Sequence, residues 1–180
     1  MNRKSIYRYA SEAGLPVGIY LSLMSACLLM SVKIPFLATL NLPLAIIFPF
    51  YLAFFIKKIG KIEPSYMKFS SLWLAGIYTV IFGTLICMFF SALYIQFVEP
   101  GFVQAYFISM IENIESSPFA EEYGPTLDIM RNAMESRLLP TSTDFITSLG
   151  WFTSFSGAVL SLFIALILSK TSSKVSKAIS

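Results

Sequence analysis

Apolar runs of helical length dominate the chain, and charged residues mark where they stop. Gly14 to Val32 contains no charge and ends at Lys33; Leu37 to Ile56 contains none and ends at Lys57 and Lys58. Leu72 to Val98 ends at Glu99, and Phe145 to Leu168 is bounded by Asp144 and Lys170. A helix needs about 20 apolar residues to cross the hydrocarbon of a bilayer. The pattern therefore predicts an all-α, polytopic membrane protein, a single membrane domain with four transmembrane helices at about 14–32, 37–56, 72–98 and 145–168. Each run is apolar around its whole circumference, as a span facing both lipid and neighbours requires. The short Lys33–Pro35 link makes the first two spans an antiparallel hairpin.

Between the third and fourth runs, residues 99–144 follow a different pattern. Phe102, Tyr106 and Met110 recur at helical spacing, flanked by Val103, Phe107, Ile111 and Ile114, so one face of a helix is apolar. Pro100 suits its start and Ser116–Ser117–Pro118 its end. A second amphipathic helix is expected from Gly124–Pro125, with Asp128 in its first turn, favoured there by the helix dipole. Its stripe is Leu127, Met130, Met134 and Leu138, and Pro140 stops it. Thr141-x-x-Asp144 has the form of a capping box for the last span. Phe102, Tyr106, Met110, Met130 and Met134 form a candidate outer interface. The two helices are read first as lying on the membrane or capping the bundle, second as an interface with a partner or a second copy, third as a lid over a substrate path.

Composition agrees with the pattern: 56% of residues are hydrophobic, 13% are charged and the mean hydropathy is +0.73. Soluble domains carry about 25% charged residues. The net charge of +3 is too small to suggest nucleic acid, but its distribution is informative. Arg3, Lys4, Arg8, Lys57, Lys58, Lys61, Lys68, Lys170, Lys174 and Lys177, ten of the 13 cationic residues, fall on one side of the predicted topology. The other side has Lys33, Arg131 and Arg137. Residues 99–144 carry eight carboxylates against two arginines, a balance of −6. The positive-inside rule then places both termini in the cytoplasm and residues 99–144 outside. The basic start and Met24-Ser25-Ala26-Cys27 also evoke a signal peptide and a lipoprotein cleavage box. Leu28-Leu29-Met30 continues the apolar run past the cysteine, so an uncleaved first span is expected.

Chemistry is sparse. There is no histidine, the commonest metal ligand and usual general base near neutrality. Cys27 and Cys87 lie inside apolar runs and are expected to be reduced packing thiols. No Asp, Glu, Lys or Arg sits deep in a span, where coupled carriers usually need one. Glu12 and Glu99 stand at span edges. No catalytic set, cofactor motif or metal site is expected, and the carboxylates follow no calcium-loop pattern.

Two features remain. Small residues recur every fourth position in span one (Gly14, Gly18, Ser22, Ala26), span three (Thr79, Gly83, Cys87, Ser91) and span four (Thr153, Gly157, Ser161, Ala165, with Gly150, Ser154 and Ala158 beside them). Such rows are grooves that admit another backbone closely, either within the bundle or in a dimer. Span two instead carries Pro35, Pro43 and Pro49, with Asn41 between them. Proline removes a backbone hydrogen bond, and broken membrane helices often line sites. Asn41, Pro43 and Pro49 are therefore a candidate polar pocket, set against a merely kinked structural helix.

The Gly14–Gly18 start, the long third span with Gly76 and Gly83, its Tyr94-Ile95-Gln96-Phe97-Val98-Glu99-Pro100 exit and the outer helices before span four resemble a family of small bacterial membrane proteins of unknown function, chiefly from the Bacteroidetes. The resemblance covers most of the chain and implies a bacterial inner-membrane location. The resulting expectation is a non-enzymatic accessory or scaffold subunit, in contact with membrane lipids and associating with itself or a larger membrane partner. The alternative is a small lipid or solute translocator using span two. A cavity beside Asn41 separates the two.

Overall fold

All four apolar runs are helices in the computed structural model, which describes residues 6–179 apart from 63, 119 and 137, and the side chains of these except 64, 65 and 172–179. Arg3, Lys4, Arg137 and the side chains of Lys174 and Lys177, used above for orientation, lie outside what is described. The order is α1 (Ile6–Met30), α2 (Phe36–Gly60), a 3-10 turn (Pro64–Met67), α3 (Phe69–Leu93), a π-helical turn (Tyr94–Val98), α4 (Phe102–Glu115), α5 (Gly124–Glu135) and α6 (Ser142–Ile179). Among the described residues there is no strand, and four helical stretches, Ile6–Met30, Phe36–Gly60, Phe69–Val98 and Ser142–Thr171, are long and apolar enough to cross a membrane. They overrun the predicted spans because helical hydrogen bonding continues past the apolar stretch into polar flanks.

The third helix is the hub, packing most extensively against α1 and next against α6. Within lipid no hydrophobic force draws helices together, so close van der Waals packing at small residues does so. A Cβ added to Gly18 would come 2.8 Å from Ile86 Cβ and 3.0 Å from the Gly83 carbonyl oxygen, and one on Gly14 2.6 Å from Phe82 Cβ. Polar side chains hold the same α1–α3 seam: the Thr79 hydroxyl donates to the Ala10 carbonyl at 3.2 Å, and the Ser25 and Ser91 hydroxyls share a hydrogen bond at 2.7 Å. On the opposite flank of α3, an added Cβ at Gly157 would meet Val80 at 2.4 Å, and one at Gly76 would meet Ser161 at 2.6 Å.

The row predicted on α1 is only partly in this seam. Gly14 and Gly18 are buried, whereas Ser22 and Ala26 are half-buried and Ser25 takes over. Residues four apart advance 40° beyond a full turn of a 3.6-residue helix, so a strict i, i+4 row drifts out of a straight interface.

The acidic segment forms α4 and α5. Phe102 and Val103 are buried, and Phe102, Tyr106 and Phe145 form a three-ring cluster with centroids 5.6–5.8 Å apart. With Leu29, Ile95 and Ile146 they cap this end of α1, α3 and α6. Met110 does not join them; it is 40% exposed, because the apolar arc of α4 is wider than the surface it covers and the inward side runs through Val103, Phe107 and Ile111. In α5 only Leu127 is buried, with Met130 and Met134 half-buried. Asp128 falls just past the first turn, and α5 ends at Glu135 before reaching Pro140. Leu138 therefore leaves the stripe and is 76% exposed. The capping box forms in full: the Thr141 amide donates to Asp144 Oδ2 at 3.1 Å and the Asp144 amide to Thr141 Oγ1 at 3.2 Å.

Gly18→Leu is expected to lower the melting temperature of the protein in detergent, at a cost of about 2 kcal/mol from overpacking. Gly101→Ala, where nothing lies within 4 Å of the added carbon, should change it by no more than a degree or two.

Candidate functional site

The second helix packs into the bundle mainly near one end. Near the basic end, Leu52 and Ile56 of α2 are fully buried in a core with Val17, Leu72, Val80, Ile164 and Ala165. Toward the acidic end, Phe36, Leu40, Leu42, Ile46 and Ile47 are all exposed. The helix runs unbroken through Pro43 and Pro49, so the expected break is absent. Each proline costs one intrahelical donor without ending the helix. At this level the Tyr20 hydroxyl donates to the Leu44 carbonyl at 2.7 Å, and the Tyr20 ring stacks on Tyr51 and Phe48 at 4.9 and 5.9 Å. Pro35 precedes the helix.

Because α2 and α6 meet at one end and not at the other, a cavity of about 320 Å³ lies between them, closed behind by α1 and α3. Three helices present one face each. Leu21, Ser25 and Leu28 come from α1; Asn41, Ala45 and Phe48 from α2; Leu149, Thr153, Ser156 and Leu160 from α6; Cys87 contributes from α3. Each face includes residues at i, i+4 and i+7, the repeat that aligns residues along one side of a helix, with Met24 on α1 and Phe152 and Gly157 on α6 beside them. No charged side chain lines the space. The volume is at the lower end of the roughly 300–1,000 Å³ of small-molecule sites.

Asn41 lines this cavity, and its Oδ1 is buried with no hydrogen-bond partner. Two of the hydroxyls on the wall are engaged: Thr153 donates to the Leu149 carbonyl at 2.8 Å, and Ser25 pairs with Ser91. An unsatisfied buried acceptor costs about 1–3 kcal/mol. Thr84 Oγ1 is buried without a partner as well, but outside the cavity lining. Pro43 is exposed and Pro49 half-buried, and neither lines the space, so of the predicted trio only Asn41 reaches it.

The predicted packing residues Gly14, Gly18, Gly83, Gly157 and Ser161 are all buried in the chain's own seams, the last donating to the Gly157 carbonyl at 2.7 Å. Phe102 and Tyr106 are turned inward. Carboxylates at the span edges do not gather: Glu12 is near the basic end, where it pairs with Arg8 at 3.4 Å, while Asp144 serves the capping box. Glu99 is held by Lys33 at 3.1 Å and accepts from the Tyr94 hydroxyl at 3.3 Å. Its side chain is only 12% exposed. This clasp joins the α1–α2 turn to the exit of α3. Its sequence signal was Lys33, an isolated cation on the acidic side.

The geometry defines a multi-pass helical membrane protein with a lateral, uncharged cavity. Its chain belongs to the family described as "Protein of unknown function (DUF4199)", whose pattern matches residues 12–170. No curated protein and no solved structure matches it.

Lys33→Ala and Glu99→Ala are each expected to lower the melting temperature in detergent. The double variant should lose less than the sum of the two, with a coupling of about 1 kcal/mol, high for an ion pair with one exposed partner. Strict additivity would show that the pair does not hold the two ends together.

Proposed function

We propose that this protein receives the apolar chain of a small lipid or similar solute from the membrane into the cavity between α1, α2, α3 and α6, as a non-enzymatic binding or translocating protein. The observation that carries the reading is the cavity itself: an uncharged, largely apolar space of about 320 Å³ with the Asn41 side chain on its wall. A space of this size and lining suits a small apolar ligand. The loose attachment of α2 beside the cavity supports lateral entry, since its apolar half is in contact with few other residues of the chain.

The reading as an accessory subunit has its own support at the acidic end. There α5 is secured by Leu127 and by an Arg131–Glu115 ion pair, while Ile129 is 70% exposed. That surface suits a partner protein better than water. The two readings are compatible, because no residue of α4 or α5 lines the cavity. Of the small-residue rows, Cys87, Thr153 and Gly157 line the cavity, while Gly14, Gly18, Gly83 and Ser161 are buried within the bundle.

The proposal places the protein in a bacterial inner membrane, with both termini and the Lys57–Lys68 loop in the cytoplasm, on the strength of the lysine and arginine asymmetry. Single cysteines at Ser116 and Lys61, in a background with Cys27 and Cys87 replaced by alanine, test this. A membrane-impermeant maleimide applied to whole cells should label the first and not the second; the reverse labelling overturns the orientation.

Native mass spectrometry after gentle extraction tests the binding reading. Bound lipid-sized mass is expected on the native protein and at least a several-fold loss in Ala45→Trp, which fills the cavity from the exposed side of α2. Equal occupancy of the two would refute the assignment of the cavity.

A further inference from the structure

Resting on the cavity reading above, we infer that the cavity draws its occupant from one leaflet only, the leaflet at the acidic end. It holds the lipid's chain there and does not pass the lipid across. A closed floor, an open upper gap and uncharged walls carry this.

The floor lies toward the basic end. Directly beyond the lining, Val17, Leu52, Ile56, Leu72, Ile164 and Ala165, drawn from all four helices, form one buried core. At Gly76 of α3 an added Cβ would stand 2.6 Å from Ser161 of α6 and 2.9 Å from Ile56 Cδ1 of α2, so three helices converge there. The Trp73 indole donates to the Ala158 carbonyl at 3.3 Å and ties α3 to α6 at the same level. Packed interiors leave no passage of a chain's width, so the space ends here.

Toward the acidic end nothing comparable closes it. Ala45 of α2 and Phe152 and Ser156 of α6 are exposed and line the space, so they frame its mouth. From Phe36 to Leu40 no residue of α2 is buried. The lining is displaced the same way on two helices. On α1 it runs from Leu21, nine residues past Glu12, to Leu28, five short of Lys33; on α6 from Leu149, five past Asp144, to Leu160, ten short of Lys170. On α2 the stretch from Asn41 to Phe48 is central. A chain standing in the acidic-side leaflet runs alongside this gap over its length. One from the opposite leaflet meets the joined basic halves of α2 and α6, and reaches the opening only at its tip.

The walls decide what stays outside. No acidic or basic side chain lines the space. A phosphate or ammonium headgroup drawn through it would lose its hydration without gaining a counter-charge. The headgroup therefore remains at the acidic-end surface while the chain lies in the cavity. A floor just beyond the lining and walls that offer a headgroup nothing make the protein a receptor for one leaflet, the outer one in the orientation proposed above.

Leaflet-specific photocapture tests the inference. Full-length Lys61→Cys protein, with Cys27 and Cys87 replaced by alanine, is reconstituted in both directions into phosphatidylcholine liposomes. The probe is a lysophosphatidylcholine with a diazirine in its chain, added outside and illuminated at once; its charged headgroup keeps it in the outer leaflet. A membrane-impermeant maleimide then marks the molecules whose basic end faces out, and intact mass reads both adducts. Capture on unmarked molecules is expected to exceed that on marked ones about tenfold, because a packed floor bars the basic side. Equal capture on both, lost in Ala45→Trp, overturns the one-leaflet assignment and leaves the cavity standing. Capture undiminished in Ala45→Trp, or in Ser156→Trp where the first variant does not fold, overturns the cavity and the inference with it. Extraction of the probe by albumin after hours of incubation supplies a second readout. Recovery equal to that from protein-free liposomes is expected; a several-fold drop, showing the probe carried across the bilayer, overturns the inference.

Discussion

Backbone-to-backbone approach along α3 is the contact from which the rest of this fold follows. At Gly14, Gly18 and Gly83 on one flank, and at Gly76 and Gly157 on the other, added carbons would meet neighbouring atoms within about 3 Å. Apolar bulk alone cannot organise helices in lipid, because lipid is as apolar as leucine. Many dispersion contacts at short range can, and only small residues allow that range. Hydroxyl pairs such as Ser25–Ser91 add direction to the same seam. The outcome is a tight three-helix unit of α1, α3 and α6, with α3 in the middle.

The fourth helix of the bundle is held on different terms. It has no glycine before Gly60, so it cannot approach its neighbours as closely, and it relies on Leu52, Ile56 and the Tyr20–Tyr51–Phe48 stack. Packing is therefore strong at the basic end and fades toward the acidic end. The cavity is the direct consequence of this taper: α1 and α6 each pack along α3, whereas α2 is engaged chiefly toward its basic end. That a polar residue, Asn41, occurs on the free half and faces inward is what distinguishes the opening from an ordinary packing defect.

At the acidic end, α4 resolves a different constraint. The tops of α1, α3 and α6 expose Leu29, Ile95 and Ile146, and the ring cluster of Phe102, Tyr106 and Phe145 covers them. The near-buried Glu99, clasped by Lys33 and Tyr94, turns the chain from α3 into this cap. By contrast α5 buries a single residue and leaves Ile129 outward, so one of the two outer helices completes the bundle and the other faces away from it.

Sequence by itself determined the helices, because the properties that define them are local. Four charge-free runs specify four spans, Gly124–Pro125 specifies the start of α5, and Thr141 and Asp144 are close enough in the chain to specify their own cap. It also picked out Gly14, Gly18, Gly83, Gly157 and Ser161 as packing residues, since spacing along a helix reveals a groove. Which groove receives which helix was a tertiary decision, and it turned every one of them inward. The cavity belongs to the same category. Its three faces at i, i+4, i+7 are regular in the sequence, yet nothing local makes 21/25/28, 41/45/48 and 149/153/156 converge. Met110 and Leu138 left their expected stripes for a related reason: periodicity defines an apolar arc, whereas the area of the surface beneath decides how much of that arc is buried. Asn41 stood out in both, first as a polar residue between prolines, then as a side chain on a wall that only the arrangement of four helices creates.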